Sequence, residues 1–442
     1  MTLDLLRFTT AGAVDDGKST LIGRLLYDSK QVFEDQLEHV AEASERRGGS
    51  GALDLALLTD GLRAEREQGI TIDVAYRYFA TPKRRFIIAD CPGHQQYTRN
   101  MVTGASTADL AVVLVDARRG VTEQSKRHAF ISALLGIPHI VVAINKMDLV
   151  EHSQARFDEL AAEFAAFADG LQAVTGRPLP ETSYIPISAL EGDNVVERSP
   201  RMLWHEGPAL LELLEGVDVA YDHPFDRPAR FPVQWVIRPG AGIASGVNRD
   251  APAGAGAADL DYRGYAGQLA SGALRRGDEV AVLPGGGRTR IASIDTYDGE
   301  LEEAMAPMSL TLRLEDELDI SRGELICRPE EAATVARELQ ADICWMTDRP
   351  LKAGGRYVLK QTSRMATAIV DRIEDVVDVH TLKRAQPAEE LTLNDIGRVH
   401  LRTSVPLAFD PYTSNRRTGS FILIDEASNE TVGAGLIAAA SA

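Results

Sequence analysis

Cysteines are few, basic residues are outnumbered, and long apolar runs are missing from this sequence. The three cysteines, Cys91, Cys327 and Cys344, lie far apart along 442 residues and show no Cys-x-x-Cys spacing. This distribution argues against a disulfide framework and against a thiolate zinc site, and it fits a reducing cytoplasm. No run approaches the roughly eighteen apolar residues that span a bilayer, and the N-terminus lacks the pattern of a targeting segment. We therefore expect a cytoplasmic protein without a membrane segment.

The chain is strongly acidic. It carries 47 Lys and Arg against 65 Asp and Glu, for a formal charge of -18. Such a surface repels phosphate backbones unless basic residues cluster locally, so nucleic acid is a disfavoured partner. The length exceeds what one hydrophobic core usually serves, which favours about three domains.

A glycine-rich loop near the N-terminus reads Gly12-Ala13-Val14-Asp15-Asp16-Gly17-Lys18-Ser19-Thr20. It follows a strand-like run, 5–11, and precedes helical spacing over 19–27, which is the context that a phosphate-binding loop requires. The glycines let backbone N–H groups turn towards phosphate oxygens, Lys18 would reach the β- and γ-phosphates, and the Ser19 hydroxyl would bind Mg²⁺. The alternative is a glycine-bearing turn with an exposed lysine, which the flanking pattern disfavours.

A second motif, Asp90-Cys91-Pro92-Gly93-His94, follows the buried-strand pattern 86–89. A carboxylate at a strand end beside a phosphate loop can hold Mg²⁺ through water, and Gly93 allows a backbone N–H to approach the γ-phosphate. His94 would then orient the attacking water. Taken alone, a histidine after a turn is an ordinary surface residue.

Thr71 lies between these two motifs, within Glu67-Gln68-Gly69-Ile70-Thr71-Ile72-Asp73. By itself Thr71 has the character of a strand residue. Its place between the motifs favours a switch segment that folds over Mg²⁺ and the γ-phosphate.

The signal for a purine base is Asn145-Lys146-Met147-Asp148, directly after the strand pattern 139–144. Asp148 can accept hydrogen bonds from N1–H and the N2 amino group of guanine, which adenine cannot offer, while Asn145 and Lys146 brace the pocket. The alternative is a polar strand-to-helix turn. Further on, Ser188-Ala189-Leu190 ends another strand, and the groups of Ser188 and Ala189 could reach the guanine O6, although that signal is weak by itself.

Strands and helices alternate from residue 5 to about 216. This predicts an α/β domain with a mostly parallel sheet, helices on both faces and a ligand at the C-terminal strand ends. Short strands with spaced glycines then predict a small β-barrel ending near residue 329, followed by a second one. The predicted domains are 1–216, 217–329 and 330–442, and the Ala- and Gly-rich loop 239–258 receives no function.

Together these motifs resemble the guanine-nucleotide motifs of translational-type GTPases of the elongation factor Tu group. Within that superfamily the sequence is most similar to the GTPase large subunit of heterodimeric bacterial sulfate adenylyltransferase. Asp16 stands where elongation factor Tu proteins typically have histidine, and the stretches 93–101, 298–304 and 411–425 also look like that subunit. The departures are modest: Ala13 replaces a common serine and Cys91 a common threonine.

The resemblance implies GTP, GDP and Mg²⁺ as ligands, with roles for each motif. Lys18 would hold the phosphates, His94 the water, and Ser19, Thr71 and, through water, Asp90 would hold Mg²⁺. The implied GTP-binding set is Gly12 to Thr20, Asp90 to His94, Asn145, Lys146, Asp148 and Ser188 to Leu190, and the implied catalytic set is His94, Lys18 and Thr71.

The resemblance also implies a partner, a small subunit that adenylates sulfate with ATP while this chain hydrolyses GTP. In keeping with that division, the sequence has no Ser-Gly-Gly-x-Asp loop, no His-x-Gly-His signature and no second phosphate loop. Some relatives carry a fused adenylylsulfate kinase; because the sequence ends at Ala442, we expect none here. Two other hypotheses are an RNA-binding factor that delivers an aminoacyl-tRNA and a stand-alone regulatory GTPase whose barrels bind protein.

Overall fold

A computed structural model describes residues 4–30, 55–58, 73–94, 98–218, 226–238 and 262–441. Thr71 and the loop 239–258 lie outside these residues. The short range 55–58 forms a 3₁₀ turn, Leu55–Leu58. The chain divides into two compact units, one formed by 1–219 with 377–384 and the other by 220–376 with 385–442.

The first unit is built on a six-stranded sheet in the order β2-β3-β1-β4-β5-β6. Its strands are β1 (Leu5–Ala11), β2 (Ala75–Ala80), β3 (Arg85–Asp90), β4 (Leu110–Asp116), β5 (His139–Asn145) and β6 (Glu181–Pro186). Strand β2 is antiparallel to β3, and the other neighbours are parallel.

All seven residues of β4 and all seven of β5 are buried, as expected for parallel strands that are covered on both faces. The register pairs Thr10 with Asp90 and Asp116 with Asn145. Because parallel strands end at the same edge, these polar residues meet at one end of the sheet.

The described helices of this unit connect the strands. They are α1 (Lys18–Asp28), α2 (Thr98–Ala105), α3 (Glu123–Leu134), α4 (Gln154–Ala168), α5 (Leu171–Thr175) and α6 (Leu210–Gly216), with a 3₁₀ turn at Met147–Val150. Thr122 caps α3 by accepting from the Ser125 N–H, and Ser153 caps α4 by accepting from the Arg156 N–H. No helix within the described ranges is long and apolar enough to cross a membrane.

The second unit begins with an antiparallel barrel in the order β10-β15-β7-β8-β14-β11-β12, closed by pairing of β10 with β11. A small sheet joins β9 and β13. The strands are β7 (Phe231–Ile237), β8 (Gly264–Gln268), β9 (Ala273–Arg275), β10 (Glu279–Leu283), β11 (Gly287–Thr296), β12 (Gly299–Leu301), β13 (Glu303–Met305), β14 (Ser309–Leu314) and β15 (Leu325–Cys327), and a 3₁₀ turn follows at Pro329–Glu331.

A second barrel has the order β18-β23-β24-β16-β22-β19-β20, closed by pairing of β18 with β19, with β17 and β21 forming a short ladder. Its strands are β16 (Thr334–Trp345), β17 (Leu351–Lys352), β18 (Arg356–Gln361), β19 (Arg364–Asp378), β20 (Lys383–Ala385), β21 (Glu390–Leu391), β22 (Ile396–Phe409), β23 (Ser420–Ile424) and β24 (Thr431–Ala440). The predicted fold class, a P-loop α/β domain followed by two β-barrels, is confirmed.

The two barrels are joined by a buried ion pair. The Arg230 guanidinium donates to both carboxylate oxygens of Asp410 at 2.9 Å, and the Thr418 hydroxyl donates to the same carboxylate at 2.6 Å. Nearby, the Asn415 amide donates to the Ser271 hydroxyl at 2.8 Å. The stretch 411–425 therefore contributes to the contact between the barrels.

Among the described residues, the α/β domain and each of the two barrels have a hydrophobic cluster of their own as a core. All three cysteines are buried as free thiols, Cys91 in the α/β domain and one in each barrel. The two barrel cysteines lie on different strands, Cys327 on β15 and Cys344 on β16.

Candidate functional site

The phosphate loop connects β1 to α1 and leaves the N-terminal end of the helix open. Gly17 precedes α1 with φ 91°, and no side chain caps the helix. A side chain at this position would also strike the Asn145 amide, so glycine is required for both reasons. The first N–H groups of a helix have no intrahelical acceptor, and here they are available to an anion.

Asp16 lies within the phosphate loop, and its side chain is hydrogen-bonded to the backbone of the same loop. Its carboxylate accepts from the Ala13 N–H at 2.6 Å through one oxygen, whereas the other oxygen is buried without a hydrogen-bond partner. Burial raises the pKa of Asp16, against the opposing effects of the Ala13 hydrogen bond and of Lys18. The side chain of Asp16 thus supports the loop conformation that we expect to hold GTP.

Lys18 lies between the phosphate loop and the Asp90–His94 motif. Its ammonium donates to the carbonyls of Gly12 at 3.0 Å and Ala13 at 2.9 Å, and burial lowers its pKa although Asp90 and Asp16 oppose the shift. A Cβ at Gly93 would strike the Lys18 ammonium and lie 2.7 Å from the Gly12 carbonyl oxygen. The structure therefore brings the two predicted phosphate-binding motifs together, and only glycine fits at their meeting point.

Of the three residues predicted to hold Mg²⁺, Asp90 and Ser19 lie in the described part of the chain. Asp90 is buried at the end of β3, where Thr10 donates to its carboxylate at 3.3 Å, and Ser19 lies in the first turn of α1. No cluster of three or more His, Cys, Asp or Glu suited to a metal occurs in the described ranges. A sparse oxygen donor set fits Mg²⁺, which takes one or two protein ligands together with water and substrate phosphates.

The structure says less about His94, which is predicted to orient the water, and about Thr71, which is predicted to belong to a switch segment. His94 is exposed, and residues 95–97 after it lie outside the described part of the chain, as does Thr71. Their predicted roles stay predictions.

Cys91 faces the protein interior. Its sulfur lies 3.0 Å from the Thr9 hydroxyl, and burial raises its pKa to about 12. The thiol is therefore neutral and buried, so the backbone of Cys91 rather than its side chain would contribute to nucleotide binding.

Asn145 joins three loops of the site. Its amide donates to the Asp16 carbonyl at 2.7 Å, and its side-chain oxygen accepts from the N–H groups of Lys146 at 2.8 Å and Ala189 at 2.9 Å. One side chain thereby ties the phosphate loop to both predicted base-binding loops.

Lys146 lies beside the phosphate loop and is held by Asp116, which no motif of the sequence assigns to the site. Its ammonium donates to the Asp15 carbonyl and to Asp116 Oδ2, the latter at 2.9 Å. Asp116 is buried and also accepts from the guanidinium and backbone N–H of Arg118. Burial would raise the pKa of Asp116, but the bonds from Arg118 and Lys146 outweigh it and hold the pKa below its usual range.

The Asp148 carboxylate is oriented by the loop after β6. The Ser188 hydroxyl donates to Asp148 Oδ1 at 2.6 Å, and the Arg24 guanidinium on α1 donates to the carbonyls of Ala189, at 3.2 Å, and Leu190. In the structure Ser188 and Ala189 therefore form hydrogen bonds with other groups of the protein. Their predicted contact with the guanine O6 stays a prediction.

Asp116 and Arg24 contact residues of the candidate site but belong to none of the site roles that the motifs predict. A signal existed for Asp116, because it ends a buried apolar strand at the same sheet edge as Asp90 and Asn145. Arg24 gave no such signal, since an arginine within an amphipathic helix is ordinary.

Two protein-family models match the chain. The Elongation factor Tu GTP binding domain matches residues 3–222, and the GTP-eEF1A C-terminal domain-like model matches residues 338–438. These matches fall on the α/β domain and on the second barrel.

Curated relatives match over nearly the full chain. Sulfate adenylyltransferase subunit 1 of Bacteroides fragilis is 50% identical over 98% of this chain and 86% of the relative. The protein of the same name from Vibrio vulnificus (strain CMCP6) is 52% identical over 98% and 86%. The bifunctional enzyme CysN/CysC of Mycobacterium tuberculosis (strain ATCC 25618 / H37Rv) is 54% identical over 98% of this chain and 67% of the relative.

Proposed function

The chain belongs to the family of sulfate adenylyltransferase subunit 1, and on that premise we propose that it hydrolyses GTP to drive sulfate activation. A partner catalytic subunit would form adenosine 5′-phosphosulfate from ATP and sulfate, and GTP hydrolysis by this chain would be coupled to that reaction. The observation that carries the proposal is the single hydrogen-bonded site formed by the phosphate loop, Gly93 and the Asn145–Asp148 loop.

The residues present fit GTP in distinct ways. The open N-terminus of α1 would receive the β- and γ-phosphates, where negative charge grows during phosphoryl transfer. The Lys18 ammonium, which contacts the Gly12 and Ala13 carbonyls, would reach the same phosphates. Asp148, oriented by Ser188, offers carboxylate oxygens that match the N1–H and N2 amino donors of guanine.

Bound Mg²⁺ would supply charge neutralisation on the β- and γ-phosphate oxygens, held by Ser19, by Thr71 and, through water, by Asp90. His94 would orient the attacking water for in-line displacement. Once the γ-phosphate is lost, the segments of Thr71 and Gly93 lose a ligand, and their rearrangement would alter the contact with the partner subunit. The absence of paired cysteines fits a reducing, cytoplasmic setting for this reaction.

The test is reconstitution with a purified small catalytic subunit of bacterial sulfate adenylyltransferase. We expect pyrophosphate release that requires ATP and sulfate and that rises on addition of GTP but not of a non-hydrolysable GTP analogue. A GTP-independent rate would contradict the coupling. Retention of aminoacyl-tRNA in a gel-shift assay would instead support a delivery factor.

A further inference from the structure

The first barrel has an open groove on its outer surface, away from its hydrophobic core. The groove has a volume of about 500 Å³, and its lining residues are Gln234, Trp235, Tyr262, Ala266, Gly267, Asp295, Thr296, Tyr297, Ser309, Leu310 and Thr311. Trp235 is 66% exposed and Tyr297 is fully exposed. Two large aromatic side chains that line the groove are therefore exposed to solvent.

The strand register explains why a groove forms here. Trp235 on β7 is opposite Ala266 on β8, Ala266 is opposite Thr311 on β14, and Thr311 is opposite Asp295 on β11. Residues opposite one another in register lie on the same face of a sheet. The small residues Ala266 and Thr311 form the floor, and Trp235 and Asp295 stand at its two sides.

The dimensions suit a secondary-structure element of a protein. Three strand spacings separate β7 from β11, or about 14 Å at the usual spacing of neighbouring strands. This span between strand axes is comparable to the width of an α-helix, which with its side chains is about 10–12 Å across.

Carboxylates outnumber cationic side chains at the groove, with Asp295 and Glu300 against Arg313. Asp295 is the one carboxylate or cationic side chain among the lining residues, and Glu300 on β12 continues the same row across the sheet. Asp295 is held in place, because the Tyr262 hydroxyl donates to one of its oxygens at 2.8 Å and the Ser293 hydroxyl to the other at 2.7 Å. The nearby Arg313 guanidinium stacks over the Tyr262 ring, with 5.2 Å between its central carbon and the ring centroid.

Exposed aromatic residues grouped around a concave surface are typical of binding sites, and Trp and Tyr contribute most to interface energy. A negative rim repels the phosphate backbone of RNA and attracts basic side chains. We propose that this groove is the docking site for the partner catalytic subunit, which inserts an apolar segment flanked by Lys or Arg. The inference rests on the proposed function and names the surface through which the two subunits meet.

The direct test measures the affinity of the full chain for the purified small catalytic subunit by isothermal titration calorimetry. We expect Trp235→Ala and Tyr297→Ala each to weaken binding about tenfold or more. Glu300→Lys is expected to weaken binding as well, and more at low than at high salt. Met365→Ala, which removes a 58% exposed side chain on the second barrel, is the matched control and should bind like the wild type.

Basal GTP hydrolysis and thermal melting should be unchanged in all four variants, because none of the substituted residues belongs to the nucleotide site or to a core. Wild-type affinity in the groove variants would overturn the docking site while leaving the proposed function intact. A wild-type chain that does not bind the small subunit would overturn both. Wild-type affinity for the small subunit together with loss of tRNA binding in Trp235→Ala would assign the groove to RNA and overturn the proposal.

Discussion

Lys146 and Asp116 form a partly buried ion pair, with 2.9 Å between Nζ and Oδ2, at the ends of two neighbouring parallel strands. The same ammonium donates to the Asp15 carbonyl of the phosphate loop. Asp116 therefore holds the Lys146 ammonium between the Asn145–Asp148 loop and the phosphate loop.

We expect Asp116→Asn to release bound nucleotide faster, because Lys146 loses its charged partner. A buried hydrogen bond to a charged group contributes about 1.5–3 kcal/mol, which corresponds to about 10- to 100-fold in dissociation rate. The measurement is displacement of a fluorescent GDP analogue in stopped flow. Asp158→Asn, on the exposed side of α4, serves as the control. Wild-type release from Asp116→Asn would assign the ion pair a purely structural role.

His94→Ala should slow GTP hydrolysis with little change in GTP affinity. The expected loss is about 100-fold, the lower end of the usual effect of a positioned proton-transfer or water-orienting group. Single-turnover hydrolysis and equilibrium binding of a GTP analogue separate the two effects. If the variant turned over GTP at the normal rate, His94 would have no part in the reaction.

Asp148→Asn should exchange guanine preference for xanthine preference. An amide in place of the carboxylate can donate to the xanthine 2-oxo group, whereas it cannot accept both guanine donors. Competition binding with GTP and XTP measures the ratio of affinities. Ser188→Ala, which removes the hydroxyl that orients Asp148, is expected to weaken GTP binding without reversing the preference. Retained GTP selectivity in Asp148→Asn would refute the assignment of the base pocket.

His128 makes the stability of the protein depend on pH. Its ring is buried on α3, with 2.8 Å between its Nε2 and the Gln124 amide and no partner for its Nδ1. Burial, with smaller effects of the Lys18 and Arg127 charges, lowers its pKa to about 3 from the usual 6.5. Between these values the unfolded chain binds a proton that the native chain excludes, so stability is complete above pH 6.5 and declines as the pH falls towards 3.

We expect His128→Asn to show a smaller loss of unfolding free energy between pH 7 and pH 4.5 than the wild type. One such group accounts for up to about 1.4 kcal/mol per pH unit. Urea unfolding at a series of pH values measures the slope, and His380→Asn, at an exposed position, is the control. An NMR titration that placed the His128 ring near its ordinary pKa would contradict this expectation.

Asp410→Ala should destabilise the unit that contains both barrels. The variant leaves the buried Arg230 guanidinium without its carboxylate, and removing one partner of a buried pair costs about 3–5 kcal/mol. Denaturant unfolding measures the loss, with the exposed Asp348→Ala as the control. Combining Arg230→Met with Asp410→Leu should recover part of the lost free energy, since no uncompensated charge then remains.

The fold and the outline of the site could be predicted because their signals are local. Strands such as β4 and β5 are continuous apolar runs, and each motif is a short stretch whose residue types match one chemical task. The C-terminal ends of parallel strands then had to lie at one edge. The observed strand and helix bounds differ from the predicted ones by one to a few residues in most of these elements.

What could not be predicted depends on pairs of residues far apart in sequence. The Lys146 contact with Asp116 spans thirty positions and the Arg230 contact with Asp410 spans 180, and no single residue in these pairs has a distinctive pattern. The sequence indicated the stretch 411–425 only through its resemblance to the family. The structure shows that Asn415 and Thr418 in this stretch form hydrogen bonds at the contact between the barrels. Strand β2 was missed because its exposed Tyr76 and Tyr78 give it little apolar character.

The burial of all three native thiols makes the folded chain suitable for selective labelling. Maleimide or Ellman's reagent should react slowly with the wild type, since Cys91, Cys327 and Cys344 are shielded from solvent. A cysteine introduced at the exposed Leu203 would then be the one rapidly reacting site on the protein. A fluorophore could be attached there without first removing a native sulfur, and conformational exchange could be followed on single molecules.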